Sequence, residues 1–323
     1  MKRRSVLQAA AALAAVPTLG WAQSAYPSRP IKSIVPVAAG GGSDLVGRAL
    51  AEQVARVLGQ PVVVENIGGG GGVIACQTTM RAAPDGYTLM QGYVATHGTA
   101  PATRRVPYDP LKDFTPIGMI GSTPNVLVVN ANTPANTLPE FIQYIKKNPG
   151  RLSYGSAGAG SLTHLTAELF KQQTDTFMVH IPYRGIAPAT TDLIGGQTQA
   201  MFPGLAAALP HIRGGRLRAL AVTGDKRHPQ LPDTPTMDEL GLKGFDAQQW
   251  YGVVGPAGMP APLVKTLNDA MAGILAQDDF RKKLSAEAVE LSPMQPAQMS
   301  EFMKRDLDRW TKIARDRKIN LDA

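Results

Sequence analysis

Hydrophobic and polar positions follow two different periods along the chain. Residues 31–37 form a short apolar run, which predicts a buried strand. In residues 44–58 the apolar side chains recur every three or four positions, which predicts a helix with one buried face. A strand at 61–65, a helix to about residue 83 and a strand at 87–94 follow. This order predicts a parallel sheet with right-handed crossovers.

The same alternation starts again near residue 125. The predicted strands of this second series are 125–130, 152–155, 179–183, 199–202 and 217–222, with helices or helical turns between them. After residue 248 one more strand precedes predicted helices at 262–276 and 297–315. We therefore predict an α/β protein of two domains, each a mainly parallel sheet flanked by helices.

Two loops of small residues each join a predicted strand to a predicted helix. The first loop, residues 38–44, reads AAGGGSD, and the second loop, residues 156–161, reads SAGAGS. The first N–H groups of a helix lack intrahelical partners and carry partial positive charge, and glycine lets a ligand approach the backbone. Both loops therefore predict an anion-binding end, with Ser43 and Ser161 as the helix N-caps.

Residues 1–22 have the features of a cleaved export signal. Lys2, Arg3 and Arg4 precede an Ala-rich apolar stretch, and small residues stand at −3 and −1 of a cleavage site after Ala22. The arginine pair resembles a twin-arginine signal, and both export routes stay open. We expect the mature protein in the periplasm.

Charge and composition narrow the function classes. Charged residues make up 18% of the chain and hydrophobic residues 44%, which is ordinary for a soluble globular protein. Residues 1–22 carry three positive charges and no acidic residue, so their removal lowers the formal net charge from +8 to +5. This excess favours anionic ligands. Lysine and arginine form no block interleaved with aromatic residues, so no nucleic-acid partner is expected.

The motifs of cofactor sites are incomplete. Residues 42–47 approach a phosphate-binding loop, but Arg48 and Ala49 replace the lysine and hydroxyl residue that such a loop requires. The dinucleotide fingerprint lacks its third glycine. The five histidines show no metal-ligand spacing, and the single cysteine, Cys76, excludes an internal disulfide. We expect neither a metal nor a cofactor.

One catalytic alternative stays open. Ser161 and His164 stand three residues apart at the start of a predicted helix, where a nucleophile and a base could meet. No Gly-x-Ser-x-Gly elbow surrounds either Ser156 or Ser161. A secreted hydrolase or isomerase that uses Ser161 and His164 is therefore the alternative to a binding protein without catalytic residues.

An ordered set of motifs resembles one known family, the extracytoplasmic solute receptors of tripartite tricarboxylate transporters, often called Bug receptors. The motifs run in this order: AAGGGSD, QPVVVENIGGGGG, RAAPDGYTL, VPYDPLKDFTPI, SYGSAGAGSLTHL, HIPYRG, LIGGQTQAMF, LRALAVTGDKR and GVVGPAGMPAP. Each motif is weak alone, whereas the ordered set is specific and covers essentially the whole mature chain.

The resemblance implies a two-domain periplasmic binding protein, a type II-like Venus flytrap with its ligand in the cleft. Domain 1 would comprise 23–124 plus 225–323, and domain 2 would comprise 125–224. The function implied is capture of a small carboxylate for the membrane permease subunits of the transporter, by a monomer that is not an enzyme.

The resemblance also implies which residues bind the ligand. They are Ala38, Ala39, Gly40, Gly41, Asp44, Tyr93, Thr96, Ser156, Gly160, Ser161, His164 and Pro203. At Pro203 many family members have an acidic residue, so we expect a ligand without an amine, either a dicarboxylate or an aromatic acid. Tyr93, Trp250 and Tyr251 fit either an apolar wall for an aromatic acid or ordinary core packing.

Overall fold

The computed structural model describes residues 26–40 and 42–322 of the 323-residue chain. The predicted signal segment 1–22 and Gly41 lie outside the described residues. The described strands, numbered in chain order, are β1 (Ile31–Val35), β2 (Val62–Asn66), β3 (Thr88–Tyr93), β4 (Phe114–Pro124), β5 (Val126–Asn130), β6 (Ser153–Ser156), β7 (Val179–Pro182), β8 (Ala200–Met201), β9 (Leu217–Val222), β10 (Gln248–Pro256) and β11 (Glu290–Met294).

Helices alternate with these strands, as the sequence predicts. The α-helices are α1 (Gly42–Leu58), α2 (Val73–Met80), α3 (Ala100–Thr103), α4 (Leu138–Lys147), α5 (Leu162–Thr174), α6 (Ile186–Ile194), α7 (Leu205–Arg213), α8 (Ala261–Leu275), α9 (Asp278–Ala286) and α10 (Pro296–Asp316). A 3₁₀ turn at Gly70–Gly72 precedes α2, and a π-helix at Ala95–Thr99 precedes α3. No helix among the described residues combines the length and apolar character that a membrane span requires.

The strands form two sheets, and each sheet with its helices is called a lobe here. The first lobe has the strand order β11-β4-β10-β3-β1-β2, and the second has the order β7-β6-β8-β5-β9. Two α/β lobes confirm the expected fold class. The expectation of mainly parallel sheets is wrong, because both sheets are mixed.

The mixture arises where the chain crosses between the lobes. β1 is parallel to β2 and β3, whereas β10 is antiparallel to both β3 and β4. In the second lobe β6 is parallel to β7 and β8, whereas β5 is antiparallel to β8 and β9. β10 returns from the second lobe and β5 enters it directly from β4, so both run against their neighbours.

Strand β4 is the longest element that the sequence pattern does not reveal. Its segment contains two prolines and two glycines, which usually weaken a strand assignment. Gly121 is required there because a Cβ atom on it would stand 2.2 Å from the backbone oxygen of Glu290 on β11. The glycine thus lets two strands approach closely, which a sequence pattern does not show.

The C-terminal helix α10 packs across the first lobe. Trp310 and Ile313 on this helix are both buried in the core of the first lobe. The Trp310 indole donates to Asp306 Oδ1 at 3.0 Å, and the Trp250 indole donates to Oδ2 of the same aspartate at 2.8 Å. α10 therefore ties the end of the chain to the centre of the six-stranded sheet.

Candidate functional site

The first loop leaves β1 at the carboxyl end of the parallel strands. Ala38, Ala39 and Gly40 are exposed, and α1 begins at Gly42. The N-cap assignment of Ser43 is wrong, because Ser43 lies inside the first turn of α1 and its hydroxyl donates to Gln91 Oε1 at 3.3 Å.

Asp44 shapes the first loop with its carboxylate. Its oxygens accept from the backbone N–H of Gly40 at 2.9 Å, from Arg48 Nε at 3.0 Å and from Asn66 Nδ2 at 2.8 Å. Burial alone would raise the pKa of Asp44, but these donors lower it below the usual value of an aspartate. The side chain is 3% exposed, so its place in the site is to hold the loop backbone.

The second loop is closed by the N-cap of α5. Ser161 is the N-cap, as predicted, and its Oγ accepts from the backbone N–H of His164 at 3.4 Å. The same hydroxyl donates to the Gly158 carbonyl at 2.6 Å and lies 2.9 Å from Thr163 Oγ1. These contacts hold the loop against the first turn of the helix.

Side chains from the same turn also accept hydrogen bonds from two N–H groups of the loop backbone. The N–H of Ala157 donates to Thr163 Oγ1 at 2.9 Å, and the N–H of Gly160 donates to His164 Nδ1 at 3.0 Å. Gly160 has φ +74, a conformation that favours glycine. The imidazole of His164 thus fixes the loop through an acceptor nitrogen, which requires its neutral form.

Several backbone donors of the two loops remain available for an anion. Within the described part of the chain, the N–H groups of Ala38 and Ala39 in the first loop bond to no acceptor. The same holds for Ala159 in the second loop and for Leu162 and Thr163 in the first turn of α5. Both loops therefore present free donors next to the positive end of a helix dipole.

A stack of three rings lies behind the second loop. The rings of His164 and His180 are 4.0 Å apart and nearly parallel, and His180 stacks on Tyr154 at 4.9 Å. Burial and the neighbouring imidazole lower the pKa of His180 to about 4. His180 Nε2 lies 2.6 Å from Ser156 Oγ. The imidazole is therefore neutral at neutral pH and anchors the fully buried Ser156.

Beneath this stack Glu168 joins α5 to the end of α10. Its carboxylate accepts from the Tyr154 hydroxyl at 2.7 Å, from Lys171 Nζ at 2.5 Å and from Arg317 Nη2 at 3.0 Å. Burial would raise the pKa of Glu168, but these three donors together lower it. Arg317 follows the last residue of α10, so this ion pair connects the two lobes behind the second loop.

The bridging segment, residues 95–104, lies between the two loops. At its start Thr96 contacts the glycine turn 68–72: a Cβ atom on Gly72, which has φ +89, would meet Thr96 Cγ2 at 2.4 Å and Pro36 at 3.3 Å. Near its other end Thr103 contacts the second loop, since a Cβ atom on Gly160 would meet Thr103 Oγ1 at 2.7 Å. The segment therefore contacts both the glycine turn 68–72 and the second loop.

The remaining predicted residues are internal. Thr96 is fully buried, and its hydroxyl donates to the Tyr93 carbonyl at 3.0 Å. Tyr93 is 8% exposed, and Trp250 and Tyr251 pack in the core of the first lobe. Pro203 is buried, and its carbonyl accepts from the N–H of Val126 at 2.9 Å where the chain enters the second lobe. Core packing is thus the role that the contacts give to Trp250 and Tyr251.

The geometry bears on the catalytic alternative. The Ser161 hydroxyl bonds to a carbonyl and to a threonine, whereas the His164 ring bonds to Gly160, so these two side chains form no nucleophile–base pair. The serine that meets an imidazole is Ser156, which is fully buried against His180. Among the described residues, no group of three or more His, Cys, Asp or Glu side chains is arranged to hold a metal ion.

Three polar residues near the loops were not predicted from the sequence. Asn66 ends β2 and Gln91 lies on β3, and both bond to the start of α1. Gln91 is a buried polar residue that directly follows Leu89 and Met90 in strand β3, a signal that could have been used. Arg104, at the end of the bridging segment, lies in a stretch of polar residues that carries no comparable signal.

Two α/β lobes, joined where the chain crosses between them and each carrying one loop with free backbone donors, define a solute-binding protein. Residues 46–320 match the family described as the tripartite tricarboxylate transporter family receptor. The chain therefore belongs to this family of transport receptors, and the resemblance seen in its motifs is confirmed.

Relatives and solved structures agree with this assignment. Protein BugT of Bordetella pertussis is 36% identical over 297 residues, which is 90% of this chain and 90% of BugT. The structure of R. palustris Rpa4515 with adipate has a TM-score of 0.84 and 34% identity, and the match covers 91% of this chain and 99% of that one. MatC from Rhodopseudomonas palustris with bound malate has a TM-score of 0.79 and 32% identity, covering 89% of this chain and 99% of that one.

Proposed function

We propose that this protein is a periplasmic receptor that binds a small carboxylate between its lobes and delivers it to the permease subunits of a tripartite transporter. One observation carries the proposal: two glycine loops, one from each lobe, present free backbone donors, and the bridging segment contacts both the second loop and the glycine turn that packs on the first loop. The adipate and malate bound by two relatives support a carboxylate as the ligand class.

The proposed site uses backbone donors to neutralise the ligand. Ala38, Ala39, Gly40 and Gly41 would contact one end of the ligand, and Ser156, Gly160 and Ser161 would frame the other. Asp44, Tyr93, Thr96 and His164 would support these loops from behind, and Pro203 would lie beside the ligand. N–H groups at two helix ends suit a carboxylate because they supply donors and partial positive charge together.

Domain closure would occur about the two crossings of the chain, which divide it into 23–124 plus 225–323 and 125–224. The crossings are tied to each other: the N–H of Asn125 donates to Thr223 Oγ1 at 2.9 Å, and that hydroxyl lies 2.5 Å from the Ala247 carbonyl. A narrow, hydrogen-bonded connection of this kind suits a hinge between two rigid lobes.

A thermal-shift and calorimetric screen of carboxylic acids tests the proposed function. Dicarboxylates or aromatic acids should raise the melting temperature, because a ligand that binds only the folded state stabilises it. Aspartate and glutamate should leave it unchanged, since Pro203 offers no carboxylate and an unpaired buried ammonium costs several kcal/mol. Micromolar binding of an amino acid, with both other classes inactive, would contradict this prediction.

Ser161→Ala separates a receptor from an enzyme. The variant should bind the ligand more weakly by about 0.5–1.5 kcal/mol, the net contribution of one hydrogen bond, because the second loop loses its cap. Ser300→Ala, an exposed serine on α10, is the matched control and should bind normally. The wild type should return every acid unchanged. A product formed by the wild type and lost in Ser161→Ala would refute the receptor.

Export and assembly are tested by fractionation and size-exclusion chromatography. We expect a mature form that begins after Ala22, found in the periplasm and eluting as a monomer. A strain without the twin-arginine route decides between the two export routes, because Arg3 and Arg4 fit either one. Recovery of the full-length chain in the cytoplasm would refute this part of the proposal.

A further inference from the structure

Arg104 is a partly buried cation without a counter-charge. In residues 26–40 and 42–322, two arginines have a buried Nε that lacks a hydrogen-bond partner, Arg104 and Arg309. Arg309 is ion-paired with Asp246 and Asp306. Arg104 forms no ion pair with any described acidic residue. The Nε of Arg104 is shielded from water without a hydrogen-bond partner, which is unfavourable, so this position favours the arrival of an anion.

The guanidinium lies beside the glycine turn that supports the first loop. Its Nη2 atom stands 3.2 Å from the position that a Cβ atom on Gly71 would occupy. The same turn contacts the first loop, since a Cβ atom on Gly68 would lie 3.2 Å from the backbone nitrogen of Ala38. The preceding residue, Thr103, contacts Gly160 of the second loop. Arg104 therefore lies beside the turn that packs on the first loop and next in the chain to a residue that contacts the second loop.

The charges around Arg104 leave it free for a ligand. The nearby carboxylate of Asp322 accepts from the backbone N–H of Arg105 and makes no ion pair with Arg104. Asp44, in the first loop, is occupied by Arg48 and other donors. The backbone donors of the two loops suit one carboxylate, and a planar guanidinium suits a second because it can donate two parallel hydrogen bonds.

We propose that Arg104 binds the second carboxylate of the ligand and thereby selects dicarboxylates over monocarboxylates. This inference rests on the proposed function, because it assigns a specificity-determining residue to the same site. It also chooses between the two ligand classes that the sequence leaves open, in favour of a dianionic acid.

The test compares acids that differ in one charge. Succinate, malate, glutarate and adipate are titrated calorimetrically, each together with its monomethyl ester, into the wild type, Arg104→Gln, Arg104→Lys and Arg105→Gln. Arg105 is the matched control because it is adjacent and exposed. Arg104→Gln should weaken dicarboxylate binding about tenfold or more and change ester binding less than about twofold, as expected when one charge-assisted contact is lost. Arg104→Lys should keep a reduced preference for dicarboxylates over their esters, and Arg105→Gln should bind both as the wild type does.

The melting temperature of the unliganded variants tests whether Arg104 only stabilises the fold. Arg104→Gln should melt no lower than the wild type, since it removes a cation that has no partner among the described residues. A preference for dicarboxylates that survives in Arg104→Gln overturns the inference and leaves the proposed function intact. A wild type that binds only monocarboxylates also overturns the inference and leaves the proposed function intact. A wild type that binds no carboxylate refutes both.

Discussion

Glu168→Gln should lower the free energy of unfolding by about 3–5 kcal/mol, the usual cost of removing one partner from a buried ion pair. Glu168 and Lys171 are 7% and 6% exposed, so the lysine cannot recover its hydration when the carboxylate is lost. Glutamine keeps one acceptor oxygen for the Tyr154 hydroxyl, but its NH2 group, in the place of the other oxygen, cannot accept from Arg317. Urea denaturation measures the effect as a lower transition midpoint.

Two further variants identify the buried charge as the cause. Glu301→Gln, on the exposed side of α10, should unfold like the wild type. Glu168→Gln combined with Lys171→Met should be more stable than Glu168→Gln alone, because no uncompensated ammonium remains buried. If the free energy of unfolding of Glu168→Gln lies within about 1 kcal/mol of the wild-type value, the buried ion pair contributes as little as exposed pairs do.

Gly121→Ala should destabilise the protein by about 3 kcal/mol or more, at the upper end of overpacking effects. The added methyl group would stand 2.2 Å from the Glu290 backbone oxygen and 3.0 Å from Leu291 Cα. Because these are backbone atoms of a paired strand, no side-chain rotation relieves the overlap, and β11 must move away from β4.

Gly273→Ala supplies the opposite result in the same lobe. Gly273 lies inside α8, and an added Cβ atom would meet nothing within 4 Å. This variant should gain about 0.5–1 kcal/mol, because alanine loses less backbone entropy than glycine in a helix. Equal effects of both substitutions on the melting temperature would mean that the close approach of β11 to Gly121 does not govern stability.

Local signals in the sequence predicted most elements of regular structure. Helix α4 shows why: its N-cap is Thr137, and the N–H of Glu140, three residues later, donates to the Thr137 hydroxyl at 3.4 Å. Strand β9 has the predicted bounds, Leu217–Val222, because its apolar run ends in turn residues. Each signal lies within a few residues of its effect.

The elements that sequence reasoning missed depend on distant partners. Strand β4 contains Gly118 and Gly121 because β11 and α8 approach it closely, which only the assembled sheet shows. The mixed strand directions follow from the return of β10 into the first lobe. Neither feature leaves a periodic pattern in the local sequence.

The same distinction applies to the candidate site. Both loops could be located from sequence because strand, glycines and helix are consecutive. The hydrogen bonds from Asn66 to Asp44 and from Ser43 to Gln91 could not be predicted, because Asn66 and Gln91 lie on other strands. The surroundings of Arg104, whose Nε has no partner, include the turn at Gly71. They could not be predicted because the two residues are more than thirty positions apart in the sequence.

The position of β10 between β3 and β4 has a consequence for biosynthesis. The first lobe cannot join β3 to β4 until the chain has been made to Pro256, and β11 follows only at Met294, although the other four strands are present much earlier. Until then β3 and β4 expose unpaired edges, which are templates for aggregation. Pairing across so long a stretch of chain is slow. The nascent chain is therefore exposed to aggregation for longer than a chain whose sheets close in sequence order.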